Sequence, residues 1–251
     1  MSHRCATALL CAIGFAAANP LVAQSVSYSQ GEFVAAQWSF TQITKTPFTT
    51  GTELLEDTGG NLGSNWFHSS TLAQASGTNR YRVANINSTF TYDPRVNGAL
   101  ASLSFSYDLL GLSTAGYSEP FFGNYVPTLR QDGLFFFLSN GTLRPTTSWA
   151  TYSITSAGVT NWVDPNNQSG LLRPDFSVNG TTMEFGYIMS GGGDCPFVGQ
   201  VCSAASFSSR LDNFSVTANA VSTVPEPSTY ALMAAGLGVL MLVQRRRRQR
   251  A

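Results

Sequence analysis

Apolar and polar residues alternate through most of the middle of this chain, with the two-residue period of a β-strand rather than the 3.6-residue period of a helix. Between Gly98 and Leu109 the apolar positions Leu100, Leu103, Phe105, Tyr107 and Leu109 are separated by serines, which predicts a half-buried strand. Thr181 to Met189 carries Met183, Phe185, Tyr187 and Met189 on one face. Tyr81 to Tyr92 and Trp149 to Ile154 alternate in the same way, and Gln30 to Thr41 reads as one or two strands around Phe33, Ala35, Trp38 and Phe40. Leu211 to Ala218 sets Leu211, Asn213, Ser215 and Thr217 against Asp212, Phe214 and Val216. The unbroken run Leu134 to Leu138 (Leu-Phe-Phe-Phe-Leu) predicts a central strand covered on both faces.

Turn-forming clusters separate these stretches: Asp57-Thr-Gly-Gly-Asn, Asn97-Gly, Asn140-Gly, Asp164-Pro-Asn-Asn and Ser190-Gly-Gly-Gly-Asp. No middle segment keeps a helical period and no repeat recurs at a fixed interval. Several short strands punctuated in this way predict an all-β domain, an antiparallel β-sandwich or jelly roll, over residues 24–220.

The two ends have a different pattern. Arg4 precedes an apolar run from Ala6 to Ala18, Asn19-Pro20 breaks it, and Leu21-Val22-Ala23 precedes Gln24. Charge, apolar stretch and small residue predict a signal helix over residues 1–23 that export machinery engages and signal peptidase cuts after Ala23. At the other end Val224-Pro225-Glu226-Pro227 leads into an apolar stretch from Tyr230 to Val243, followed by Gln244 and the arginines 245–248 and 250. Fourteen apolar residues make a helix of ~21 Å, short for a ~30 Å hydrocarbon core, so its crossing as a transmembrane helix relies on the arginines snorkelling at the edge. Those arginines would lie on the cytoplasmic side of the inner membrane, with everything before Pro225 outside.

This tail, residues 221–251, resembles the PEP-CTERM sorting signal of Gram-negative bacteria, in which a Pro-Glu-Pro triplet, a short hydrophobic helix and an arginine cluster follow one another in that order. The resemblance implies an exosortase as processing partner, transient anchoring in the membrane, and a destination at the cell surface or in an exopolysaccharide or biofilm matrix. Val224, Pro225, Glu226 and Pro227 are then a label read by another enzyme, not catalytic groups.

The formal net charge of zero hides an asymmetry. Six of the 14 basic residues lie in the two ends, leaving 8 basic residues against 13 acids between them, a net −5, with Lys45 the only lysine. Such a domain has no electrostatic footprint for nucleic acid.

Cys5 and Cys11 fall in the leader, so Cys195 and Cys202 remain, an even pair that reads as a disulfide in an exported chain, worth ~2–3 kcal/mol for so short a loop. The order of landmarks, from Gly63 and Trp66 to the closing Ser209-Arg-Leu-Asp-Asn-Phe-Ser-Val, is similar to that of the jelly-roll modules of extracellular carbohydrate-binding proteins. That similarity implies a structural calcium ligand at Asp212, with Glu32, Glu53 or Glu56 as partners. The plainer reading is that Asp212 caps a turn or pairs with Arg210.

Catalytic patterns are absent from the sequence. His68 is the one histidine beyond the leader, and its polar surroundings read as a loop or edge at the surface. Glu184 is the one acid whose place on a strand makes it worth testing as a glycosidase group. No phosphate loop, zinc pattern or dinucleotide fingerprint occurs. The aromatic residues Trp66, Tyr117, Phe121, Phe122, Tyr125, Trp149 and Trp162 are candidates for stacking on sugar rings, with core packing as the plain alternative. The sequence therefore favours a non-enzymatic exported protein that binds extracellular polysaccharide or another surface component, without a cofactor beyond that calcium. A secreted glycoside hydrolase and a purely structural or adhesive coat protein are the rival readings.

Overall fold

The computed structural model describes residues 25–46, 49–61, 63–72, 77–117, 119–165, 172–195, 204–221 and 227–248. The strands run in chain order β1 (Val26–Gln30), β2 (Trp38–Lys45), β3 (Thr49–Glu56), β4 (Asn65–Leu72), β5 (Gly77–Tyr92), β6 (Leu100–Ala115), β7 (Asn124–Gln131), β8 (Leu134–Leu138), β9 (Ala150–Ala157), β10 (Trp162–Val163), β11 (Met183–Cys195) and β12 (Ala205–Ala220). A single-turn helix, α1 (Pro94–Asn97), joins β5 to β6, and α2 (Pro227–Arg248) follows the last strand. One sheet has the order β3-β4-β12-β6-β9, with β1 also on β12; the other has the order β10-β8-β7-β11-β5-β2. All pairings are antiparallel, and the two sheets form a sandwich rather than a closed barrel.

The inner faces follow the alternation. Leu103, Phe105, Tyr107 and Leu109 of β6 meet Met183, Phe185, Tyr187 and Met189 of β11 in one cluster, all of them buried. Phe214 is the hub between the sheets, fully buried and in ring contact with Trp38, Phe90, Phe105, Tyr107 and Tyr187. Strict alternation would put Leu211 and Phe214 on opposite faces, yet both are buried in the core. The register explains this. Asp212 pairs with Asp108 and Ser215 with Ser106, so β12 has one residue more than β6, and Asn213 takes up the bulge at φ 51°.

The bulge has a fixed place. On one edge β12 pairs with β4 from Ala205 to Leu211 and with β1 from Phe214 to Ala218, so Asp212 and Asn213 fall in the gap between those two partners.

Three sequence-based expectations change. Leu134–Leu138 is not a central strand covered on both faces: β8 lies one strand from the edge, beyond it stands only the two-residue β10, and Leu134 is exposed. β7 is not among the strands expected from the alternation, since its Pro127 conceals it. Proline is tolerated there because the pairing of β8 covers Thr128–Gln131 and stops short of it. The tail forms its helix, but among the described residues no helix is long and apolar enough to cross a membrane. Pro227, Ser228 and Thr229 at one end and the arginines at the other limit the apolar stretch. The expected signal helix (1–23), Cys202 of the expected Cys195–Cys202 bridge, and Val224, Pro225 and Glu226 of the sorting motif lie outside the described residues.

Candidate functional site: a groove on the outer face of the second sheet

The aromatic residues singled out from the sequence separate into two groups. Trp66, Phe122, Tyr125 and Trp162 are buried in the interior. Glycines make the room: a side chain on Gly111 would collide with the Phe122 ring, and one on Gly123 or Gly191 would collide with Phe207. Tyr117 and Phe121 are half-buried, their rings tilted against each other at 4.9 Å, and Phe121 meets Phe207 edge-on at 5.3 Å. Trp149 is half-buried at the start of the edge strand β9. The seven do not converge on one exposed platform.

His68 is not a surface residue. It lies on β4, fully buried, with Nδ1 against Glu53 Oε2 of β3 and Nε2 2.9 Å from the Tyr187 hydroxyl of β11. Burial first, and then the Glu53 charge, hold the Tyr187 phenol well above its usual range, so it stays protonated, and its hydroxyl and the Glu53 carboxylate each share a hydrogen bond with one imidazole nitrogen. A carboxylate–imidazole–phenol chain therefore bridges the two sheets inside the core. The sequence concealed it because its three members come from separate strands.

Asp212 is also fully buried, in the gap between β1 and β4. Asn213 N–H donates to Oδ1 at 2.6 Å and Asn61 N–H donates to Oδ2 at 2.6 Å. The side-chain amides of the same two asparagines each donate to Asp108 Oδ2 at 2.7 Å, and Thr151 donates to Asp108 Oδ1 at 2.6 Å. Burial raises the Asp108 carboxyl, but the bonds from Thr151, Asn213 and Asn61 outweigh it and hold the group below the usual carboxylate range. Of the expected acidic partners, Glu56 is taken by Arg210 at 2.6 and 2.9 Å, Glu53 by His68, and Glu32 accepts from Ser64 N–H at 3.3 Å. Main-chain oxygens do reach Asp212. Gly63 O, Asp212 Oδ2 and Ser64 O lie 2.6, 2.7 and 2.9 Å from where a Cβ on Gly60 would stand. Gly63 O accepts from Gly60 N–H at 2.9 Å, which holds this carbonyl beside Asp212. Among the described residues, no group of three or more His, Cys, Asp or Glu could hold a metal.

The outer face of the second sheet carries an open groove. Register aligns Arg82 of β5, Ser190 of β11 and Asn124 of β7 in one row across three strands, and Ala84, Ile188 and Val126 in the next. Rows two residues apart lie ~7 Å from each other. Together with Phe137 of β8 and Thr142 beyond it, the first row and the Ile188–Val126 floor line a shallow groove that opens to solvent. Ile188 and Val126 are buried, Arg82, Asn124, Phe137 and Ser190 half-buried, and Thr142 exposed. Arg144 donates to Asn124 Oδ1 at 3.1 Å at the same rim. Further along that face Arg130 closes on Glu184 at 2.5 Å, so the one acid considered for catalysis is held in an ion pair. None of the groove's residues except Tyr125's neighbours on β7 was signalled by the sequence, since the groove is a row across strands and not a motif along one.

An antiparallel sandwich with a groove on one outer face, followed by an arginine-tipped helix, defines an all-β domain carrying a C-terminal tail. Residues 223–248 of that tail match the family model described as the PEP-CTERM protein-sorting motif, so the chain carries that motif. Two solved structures are weakly similar to the domain. The family 30 carbohydrate-binding module of a cellulosomal cellulase of Clostridium thermocellum has a TM-score of 0.34 at 12% identity, covering 72% of this chain and 98% of that one. Peanut lectin with a bound nine-residue peptide also has a TM-score of 0.34 at 12% identity, covering 80% and 100%. No curated protein matches the chain in sequence.

Proposed function

We propose that this is an exported, exosortase-processed surface protein whose sandwich binds extracellular polysaccharide in the groove on the second sheet. The sorting motif at residues 223–248 carries the first half of that reading. The order of its parts supports a transient stay at the inner membrane. Release or transfer to the surface then follows cleavage of the tail. The groove supports the second half: an apolar floor of Ile188 and Val126 covers the C–H face of a sugar ring, and Ser190, Asn124 and Thr142 supply hydroxyl partners.

The test is mass spectrometry of the protein in fractions of an exosortase-bearing host. The mature surface form is expected to lack residues 1–23 and the tail. Replacing Pro225, Glu226 and Pro227 with alanine is expected to leave an uncut chain in the membrane fraction. A full-length chain recovered from the cytosol would overturn the sorting reading. A glycan array that binds nothing would overturn the binding half and favour a coat protein.

A structural calcium ion belongs to the same proposal. Asp212 and the carbonyls of Gly63 and Ser64 would hold it, tying β12 to the segment between β3 and β4. The melting temperature is expected to rise with added calcium and fall with a chelator. A melting curve indifferent to both rejects calcium and leaves Asp212 as a hydrogen-bonded strut.

A further inference from the structure

Arg80, Arg82 and Arg144 gather at one end of the outer face of the second sheet, while Glu184 further along that face is taken by Arg130. The described ion pairs are Glu53–His68, Asp93–Arg95, Glu184–Arg130 and Glu56–Arg210, and Arg82 belongs to none of them. Arg82 lines the groove half-buried, and among the described residues its guanidinium makes no hydrogen bond. Burial first, and then the charge of Arg80 two residues away, ease its proton off relative to a free arginine. Arg144 adds a third guanidinium through Asn124. A half-buried cation beside like charge is unfavourable until an anion meets it. The domain as a whole has the opposite sign, with 13 acids against 8 bases. A polyanion is therefore repelled elsewhere and drawn to this end of the groove.

We propose that the groove takes an acidic sugar, its carboxylate on Arg82 and its ring on Ile188 and Val126. This rests on the reading of the groove as a polysaccharide site. The row geometry suits such a ligand. The carboxylate partner and its neighbour Ser190 stand one row, ~7 Å, from the apolar floor, so one uronate residue reaches both. Arginine suits a planar carboxylate because its forked N–H groups bind both oxygens at once.

The test is titration calorimetry of the full chain with an oligomer of galacturonic acid and with its carboxyl-reduced, neutral counterpart. The acidic oligomer is expected to bind at least about tenfold more tightly, with the preference shrinking as salt rises. Arg82→Gln is expected to erase that preference, weakening the acidic oligomer by about ten- to a hundredfold, with the melting temperature as the check on folding. Arg82→Lys is expected to restore part of it. If the two oligomers bind the wild type equally, or Arg82→Gln keeps the preference, the acidic-sugar assignment falls while the polysaccharide reading stands. If neither oligomer binds, the assignment falls, and a blank glycan array removes the broader reading with it. Should Arg82→Gln not fold, the comparison of acidic and neutral oligomers on the wild type decides alone.

Discussion

His68→Ala is expected to destabilise the sandwich by ~3–5 kcal/mol, the range for breaking a buried, hydrogen-bonded charge partner. The imidazole is fully buried between two sheets, so no water replaces it easily. Its loss strands Glu53, whose Oε1 is already buried without a hydrogen bond, and takes the partner from the Tyr187 hydroxyl. The measurement is urea unfolding followed by tryptophan fluorescence. A second variant separates lost packing from the orphaned carboxylate. If the stranded charge dominates, His68→Ala combined with Glu53→Leu is expected to be more stable than His68→Ala alone, because the carboxylate no longer needs a partner. A loss below ~1 kcal/mol in the single variant would show that the chain through the core is not formed.

Phe214→Ala is expected to cost a similar ~3–5 kcal/mol by a different route, the cavity left at the centre of the aromatic cluster. Five rings from both sheets close on Phe214, and β-strand backbones on either side limit how far they can collapse inward. For a domain of this size, each kcal/mol is worth ~2–4 °C in melting temperature, so a drop of about 6–20 °C is expected in a thermal melt. Thr217→Ala on the outward face of the same strand is the control, since Thr217 makes only an exposed bond to Ser27 at 3.0 Å. Its effect is expected within about 0.5 kcal/mol. A Phe214→Ala melt within that margin would contradict the packing described.

The same strand shows how far sequence pattern reaches and where it stops. Phe214, Val216 and the serines between them gave β12 its period, and the inward rows of β6 and β11 were legible for the same reason: a half-buried strand writes its two faces into alternate residues. The tail was legible too, because a Pro-Glu-Pro triplet, an apolar stretch and an arginine cluster are contiguous and need no folding to be seen together. Pattern could not show the extra residue at Asn213. A bulge exists only relative to a partner strand, and it is the bulge that returns Phe214 to the core and turns Asp212 toward the segment after β3.

Burial of the candidate residues likewise belonged to the tertiary structure. Composition said there were many aromatics; which of them pack inward was decided by the facing sheet, with Gly111 leaving room for Phe122 and Gly123 and Gly191 for Phe207. His68 looked like a surface residue because its neighbours along the chain are polar. Cross-strand partners, Glu53 from one side and Tyr187 from the facing sheet, made it a core residue. The groove has the same origin. Arg82, Ser190 and Asn124 stand far apart in the chain and side by side in the sheet, and only strand register, a long-range property, could bring them into one row.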